Sequence, residues 1–174
     1  MSQTIQTLHD TLTIAGYKSW LVTDQPQLPP RVFCETHVDE RGRPFIFEVL
    51  FSADVTVAPD PGDEDAEDDA FQMFLMSMQL PIPLEVKALA TAYRLFNVLN
   101  TLLPMGTYLI NEDDQSMHLK CAIPFVGVPS NATVMEVFDM MTMYVLQMAP
   151  IIEKVCSGHA SIEEAAAQIQ AAQP

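Results

Sequence analysis

One 23-residue stretch, TVMEVFDMMTMYVLQMAPIIEKV at positions 133–155, constrains this chain more than any other. Val134, Val137, Phe138, Met141, Tyr144, Val145, Met148, Ile151, Ile152 and Val155 recur at spacings of three and four, which predicts a long helix with one continuous core face. Met135, Met140, Met143 and Leu146 fall off that face. They leave Glu136, Asp139, Gln147, Glu153 and Lys154 as nearly all of its strongly polar positions. A helix that is apolar nearly all round is buried on more than one side, and methionine adapts its shape to irregular partners. These four side chains are therefore expected on a partner or dimer surface. The ring of Pro150 opposes the carbonyl four residues back, which predicts a kink near Leu146.

The flanking sequence supplies a sheet for that helix to pack on. Ile5, Leu8, Leu12 and Ala15 mark a first helix that ends at Gly16. KSWLVTD reads as a short strand, and the prolines of QPQLPP cannot extend a ladder. RVFCETHV and RPFIFEVLFSA form a hairpin around DERG, with Phe45, Phe47, Val49 and Phe51 on one face. FQMFLMSMQLPI is apolar on both faces of an extended strand, so it is expected to be central or covered on both sides, with Met76 and Met78 adding to the partner surface. Residues 84–103 carry Leu89, Ala92, Phe96, Leu99 and Leu103 at helical spacing. TYLINEDDQSMHLKCAIPF is a second hairpin that turns at EDDQ, with Met117, Leu119, Cys121, Ile123 and Phe125 on one face. Asn131 or Thr133 is placed to cap the long helix. SIEEAAAQIQAA opens with a capping-box pattern, Ser161 and Glu164, and makes a small final helix at 161–172. The predicted order α-β-β-β-β-α-β-β-α-α gives an α+β fold, an antiparallel sheet with helices packed on it, in a single domain spanning 1–174.

Charge narrows the partners. Against 23 Asp+Glu stand 8 Lys+Arg, a formal charge of -15, which repels nucleic acid and anionic membranes. The start MSQTIQTLHD lacks the features of a secretory signal and no apolar run reaches bilayer length, so a cytoplasmic location is expected. The 3 cysteines are widely spaced and form no disulfide framework.

Seven acids fall between Asp60 and Asp69, in an insertion near 58–70. They do not follow the calcium-loop pattern, which needs glycine at the sixth position and glutamate at the twelfth. Mutual repulsion favours a hydrated loop. Deleting 62–69 is expected to leave cooperative urea unfolding intact, and its loss would show that the acids hold something structural. Cys34 with His37, and His118 with Cys121, look like two halves of a zinc site. Residues three apart in a strand point to opposite faces, so neither pair chelates without a bulge. No metal, cofactor or catalytic residue is expected, since triads, phosphate-binding glycine loops and HExxH are absent.

The segment LFNVLNTLLPMGTYLINEDDQSMHLKCAIPF followed by the long helix resembles a helix, hairpin and long helix of the YbjN family, described as bacterial sensory transduction regulators, within the type III secretion chaperone-like fold. The resemblance covers roughly residues 4–156. It implies a cytosolic, acidic homodimer that holds an extended segment of a client protein on apolar surface, with no catalytic residues. A non-catalytic chaperone-like or adaptor domain is the leading expectation. A small-molecule or metal-sensing regulator is the alternative.

Overall fold

The computed structural model describes residues 3–25, 28–52, 71–126 and 130–172; the acidic run near 58–70 lies outside them. The elements are α1 (Gln3–Ile14), β1 (Lys18–Val22), β2 (Arg31–Val38), β3 (Pro44–Ser52), β4 (Phe71–Gln79), α2 (Leu89–Leu102), β5 (Thr107–Asn111), β6 (Ser116–Val126), α3 (Asn131–Cys156) and α4 (Ile162–Ala172). The strands form one six-stranded sheet in the order β1-β2-β3-β4-β6-β5, so β4 is central, as its two apolar faces predict. The fold is α+β, an antiparallel sheet with four helices packed on it. Among the described residues no helix is long and apolar enough to cross a membrane.

Period-two alternation decides which side of each strand is buried. Val32 and Cys34 of β2, Phe45, Phe47 and Val49 of β3, and Phe74, Met76 and Met78 of β4 are buried, as are Met117, Leu119 and Cys121 of β6. The residues between them, such as Phe33, Glu48, Leu75 and His118, keep partial exposure. Helices cover the buried side: Phe138 of α3 lies 5.6 Å from the Phe47 ring, and Phe96 of α2 lies 5.3 Å from the Tyr108 ring.

By contacts the chain divides into two compact units, Met1–Met78 with Cys121–Asp139, and Gln79–Lys120 with Met140–Pro174. In the first, Ile5, Leu8 and Leu12 are buried on α1, which closes at Gly16 with φ +90°. Tyr17 N–H donates to the Leu12 carbonyl and Gly16 N–H to that of Thr13, the paired bonds of a Schellman cap. The β2–β3 turn is held by Asp39, whose carboxylate accepts from the backbone N–H of Arg41 and Arg43 at 2.9 and 2.8 Å. Those bonds, the one from Arg43 foremost, hold its carboxyl below the usual range.

In the second unit α2 begins at Leu89, after a short 3-10 turn at Val86–Ala88, and not at Leu84. Residues 84–88 contain no Ser, Thr, Asp or Asn to cap an earlier start, and Glu85 is extended at φ -84° and ψ 143°. The predicted capping box of α4 is present: Ser161 N–H donates to Glu164 at 2.8 Å, and Glu164 N–H to Ser161 Oγ at 3.1 Å. Gly106 sits at φ +83°, where an added Cβ would meet the Met141 Cε at 3.0 Å and the Lys120 carbonyl at 3.2 Å. Gly106→Ala combines left-handed strain with a backbone clash and is expected to lower unfolding free energy by about 1–3 kcal/mol. Chemical denaturation reads this directly, and an unchanged midpoint would contradict it.

Candidate functional site

The long helix is a continuous element, and most of its expected core face is buried: Val134, Val137, Phe138, Met141, Val145, Ile151, Ile152 and Val155 lie at or below 7% exposure. Tyr144 and Met148 are half-buried. Its N-terminus is capped one residue earlier than expected, by Ser130, whose Oγ accepts from Thr133 N–H at 3.1 Å. Its C-terminus closes at Gly158, with His159 N–H donating to the Lys154 carbonyl at 2.8 Å. The helix runs through Pro150, which is exposed, so the Leu146 carbonyl that loses its helical donor lies where water reaches.

Of the side chains expected on a partner surface, Met143 is 46% and Leu146 39% exposed. Met135 and Met140 flank them half-buried. Met76 and Met78 are a correction: both are 1% exposed and belong to the core. Strand β4 is apolar at six of its nine positions and carries apolar side chains on both parities, so composition hides which parity faces the helices. Its register against β3, with Phe47 opposite Met78 and Val49 opposite Met76, puts the two methionines on the covered side. Thr142, which the sequence pattern does not single out, is also buried at 9%, with Oγ1 unpartnered among the described residues.

The two Cys/His pairs do not converge. The register of β2 against β3 shifts between Glu35 and His37, so the bulge that chelation requires is present, and His37 lies 6.0 Å from the inward-facing Phe45. Yet Cys34 is wholly buried, and burial pushes its thiol up to about 12. Burial likewise pushes Cys156 up to about 11 and raises Cys121, so these thiols stay protonated at neutral pH. Among the described residues no group of three or more His, Cys, Asp or Glu is placed to hold a metal ion.

A different cluster does form at the β5–β6 turn. Ser116 Oγ lies 2.5 Å from Asp114 Oδ1 and 2.6 Å from His118 Nε2. The ionised carboxylate only accepts, so Ser116 gives its proton to Asp114 and His118 Nε2–H donates to Ser116. Serine therefore stands between acid and base, the reverse of a hydrolytic triad, in which histidine takes the serine proton. The bonds brace the turn and leave Ser116, 6% exposed, unactivated. Sequence spacing alone does not give this cluster, since only Ser116 and His118 share strand parity and Asp114 lies in the turn before β6.

His118 is held below its ordinary 6.5, first by burial and then by the charge of Lys120, with Asp114 opposing. The folded protein thus prefers neutral His118, and the unfolded chain binds the proton more readily. Its contribution to stability is complete above about pH 6.5 and is lost as pH falls through the lower folded value. Urea midpoints compared between pH 7 and pH 5 should fall less steeply in His118→Gln than in wild type. Equal slopes would contradict this.

No family model matches the sequence, and no curated protein matches it.

Proposed function

We propose that the chain is a non-catalytic protein-interaction domain of the cytosol, chaperone-like or a regulatory adaptor, that takes a protein partner on the outward side of α3. The observation that carries this reading is the exposed pair Met143 and Leu146 on a helix whose other large apolar side chains are buried or half-buried. Adaptable apolar side chains presented on a rigid helix suit helix-in-groove or helix-to-helix recognition. The likeness of the helix, hairpin and long-helix segment to the YbjN family and the type III secretion chaperone-like fold supports the same reading. Protonated thiols and a serine that gives its proton to Asp114 leave these particular groups in resting states, which favours binding over chemistry at them.

The test is Met143→Glu with Leu146→Glu. Both sites are exposed, so the double variant keeps its far-ultraviolet circular dichroism and melting temperature. It should lose a protein that co-purifies with wild type. A variant that retains every partner of the wild type refutes the reading.

A further inference from the structure

Within the second compact unit, α4 packs on α2 and is fastened to it by little. Of the described side chains of α4, Ala165 and Ile169 are buried, Ile162 and Ala166 are half-buried, and the others are exposed. Glu163 reaches Arg94 of α2 at 3.9 Å, but with the two side chains 78% and 71% exposed water screens the pair. The bonds that shape the start of α4 stay within it: Ser161 and Glu164 cap each other, and Ala165 N–H donates to the Ser161 carbonyl at 3.1 Å. The N–H groups of residues 157–160 all donate back to α3, to the carbonyls of Glu153, Lys154 and Val155. Opening at Ser161 therefore breaks neither the end of α3 nor the cap of α4. An 11-residue helix is marginal on its own, so α4 holds its shape largely by lying on α2.

The buried stripe of α2 runs around the helix from Leu95 through Leu99 and Ala92 to Phe96. Phe96 and Asn100 border its β5 side, where both meet Tyr108. The opposite border carries Leu95, with Thr91 and Val98 half-buried beside it and Arg94 beyond. Arg94 is the residue that reaches α4, so α4 lies along this border and keeps Leu95, at 0% exposure, dry. We propose that the Leu95 border of α2 is a docking site for an amphipathic helix of a partner protein, held in the resting chain by α4 as an internal competitor. The resident helix defines the chemistry of the ligand. Ala165 lets the two helix axes come close, and Ile169, four residues on, fills the same face, while the remainder is polar. An incoming helix with that pattern gains the contacts that α4 gives up, so the border stays covered through the exchange. This site is on α2 and does not depend on α3 as a partner surface.

A fluorescent peptide of residues 161–172 stands in for the partner helix. Ile169→Asp in the full chain removes the larger buried anchor of α4 and vacates the site. The peptide is expected to bind that variant with a Kd of about 100 µM or tighter, and wild type at least about tenfold more weakly, because tethered α4 competes at an effective concentration of about 1 mM or more. Ile169→Ala, a milder loosening, should fall between the two, and a peptide carrying I169D should bind none of them. Hydrogen exchange on wild type needs no variant: amides of residues 165–170 should exchange at least about a hundredfold faster than those of Leu95 and Leu99, through opening of α4 alone. Equal rates in α4 and α2 overturn the proposal, since α4 then leaves only when the whole unit unfolds. So does a folded Ile169→Asp or Ile169→Ala chain, judged by circular dichroism, that takes up the peptide no better than wild type. A wild-type dimer that the peptide splits would make a second copy the occupant and also overturn it.

Discussion

Phe138→Ala is expected to cost about 3–5 kcal/mol of unfolding free energy, the range for truncating a fully buried aromatic side chain. Phe138 is 0% exposed and lies 5.1 Å from the Tyr17 ring, edge-on, and 5.6 Å from the Phe47 ring. It therefore joins the turn between α1 and β1, the middle of β3 and the first half of α3, and its loss leaves a cavity between the Tyr17 and Phe47 rings. Tyr17 adds a hydroxyl bond to Asp139, and burial first, then that bond, pushes its pKa up to about 12. Phe138→Leu fills most of the volume and should recover a large part of the loss. Equilibrium urea unfolding of the two variants measures the difference. A cost below about 1 kcal/mol for the alanine variant would mean that the three elements do not share this core.

The second large effect falls on Asn100. Its side chain faces the backbone of Tyr108: Nδ2 donates to the Tyr108 carbonyl at 3.0 Å, and Tyr108 N–H donates to Oδ1 at 2.7 Å. Because β5 is an edge strand of the sheet, these two groups have no further strand to pair with, and α2 supplies the partner from its own side chain. Tyr108 is 2% exposed, so removing the amide strands a donor and an acceptor in surroundings water reaches poorly. Asn100→Ala is expected to destabilise by about 2–4 kcal/mol, from two lost bonds and incomplete resolvation. Hydrogen exchange should show the Tyr108 amide opening faster by a factor in keeping with that loss. Unaltered exchange at this amide would contradict the account.

Much of the architecture was legible because local chemistry and packing agree. Ser161 and Glu164 spell a cap whose bonds need no distant residue, and Gly16 and Gly158 stop their helices for the same reason. The core face of α3 follows from spacing, since one side of a helix on a sheet must be dry. What stayed hidden depends on pairing between distant strands. Met76 and Met78 look equivalent to Met73 and Leu75 in sequence, and only the register with β3 sends one parity inward. The bulge after Glu35 is likewise a property of two strands together. The cap at Ser130 and the late start of α2 are boundary effects, where competing polar residues or their absence shift an end, by one residue at Ser130 and by five at Leu89. At the candidate site, the exposed Met143 and Leu146 were legible from surplus apolarity on α3. The Asp114–Ser116–His118 brace was not legible from strand parity, because Asp114 sits in the β5–β6 turn, and it needs proton bookkeeping to tell it from a triad.

The central claim, that a protein partner covers the outward side of α3, is tested most directly by peroxide footprinting of individual methionines with mass spectrometry, since oxidation of a methionine follows its exposure. Met143, 46% exposed in the single chain, should oxidise rapidly when the purified protein is dilute, while Met76 and Met78, at 1%, serve as protected internal standards. At high protein concentration or in native lysate, Met143 should slow toward those standards as the surface is covered. A Met143 rate that is the same in dilute protein, concentrated protein and lysate would contradict the claim.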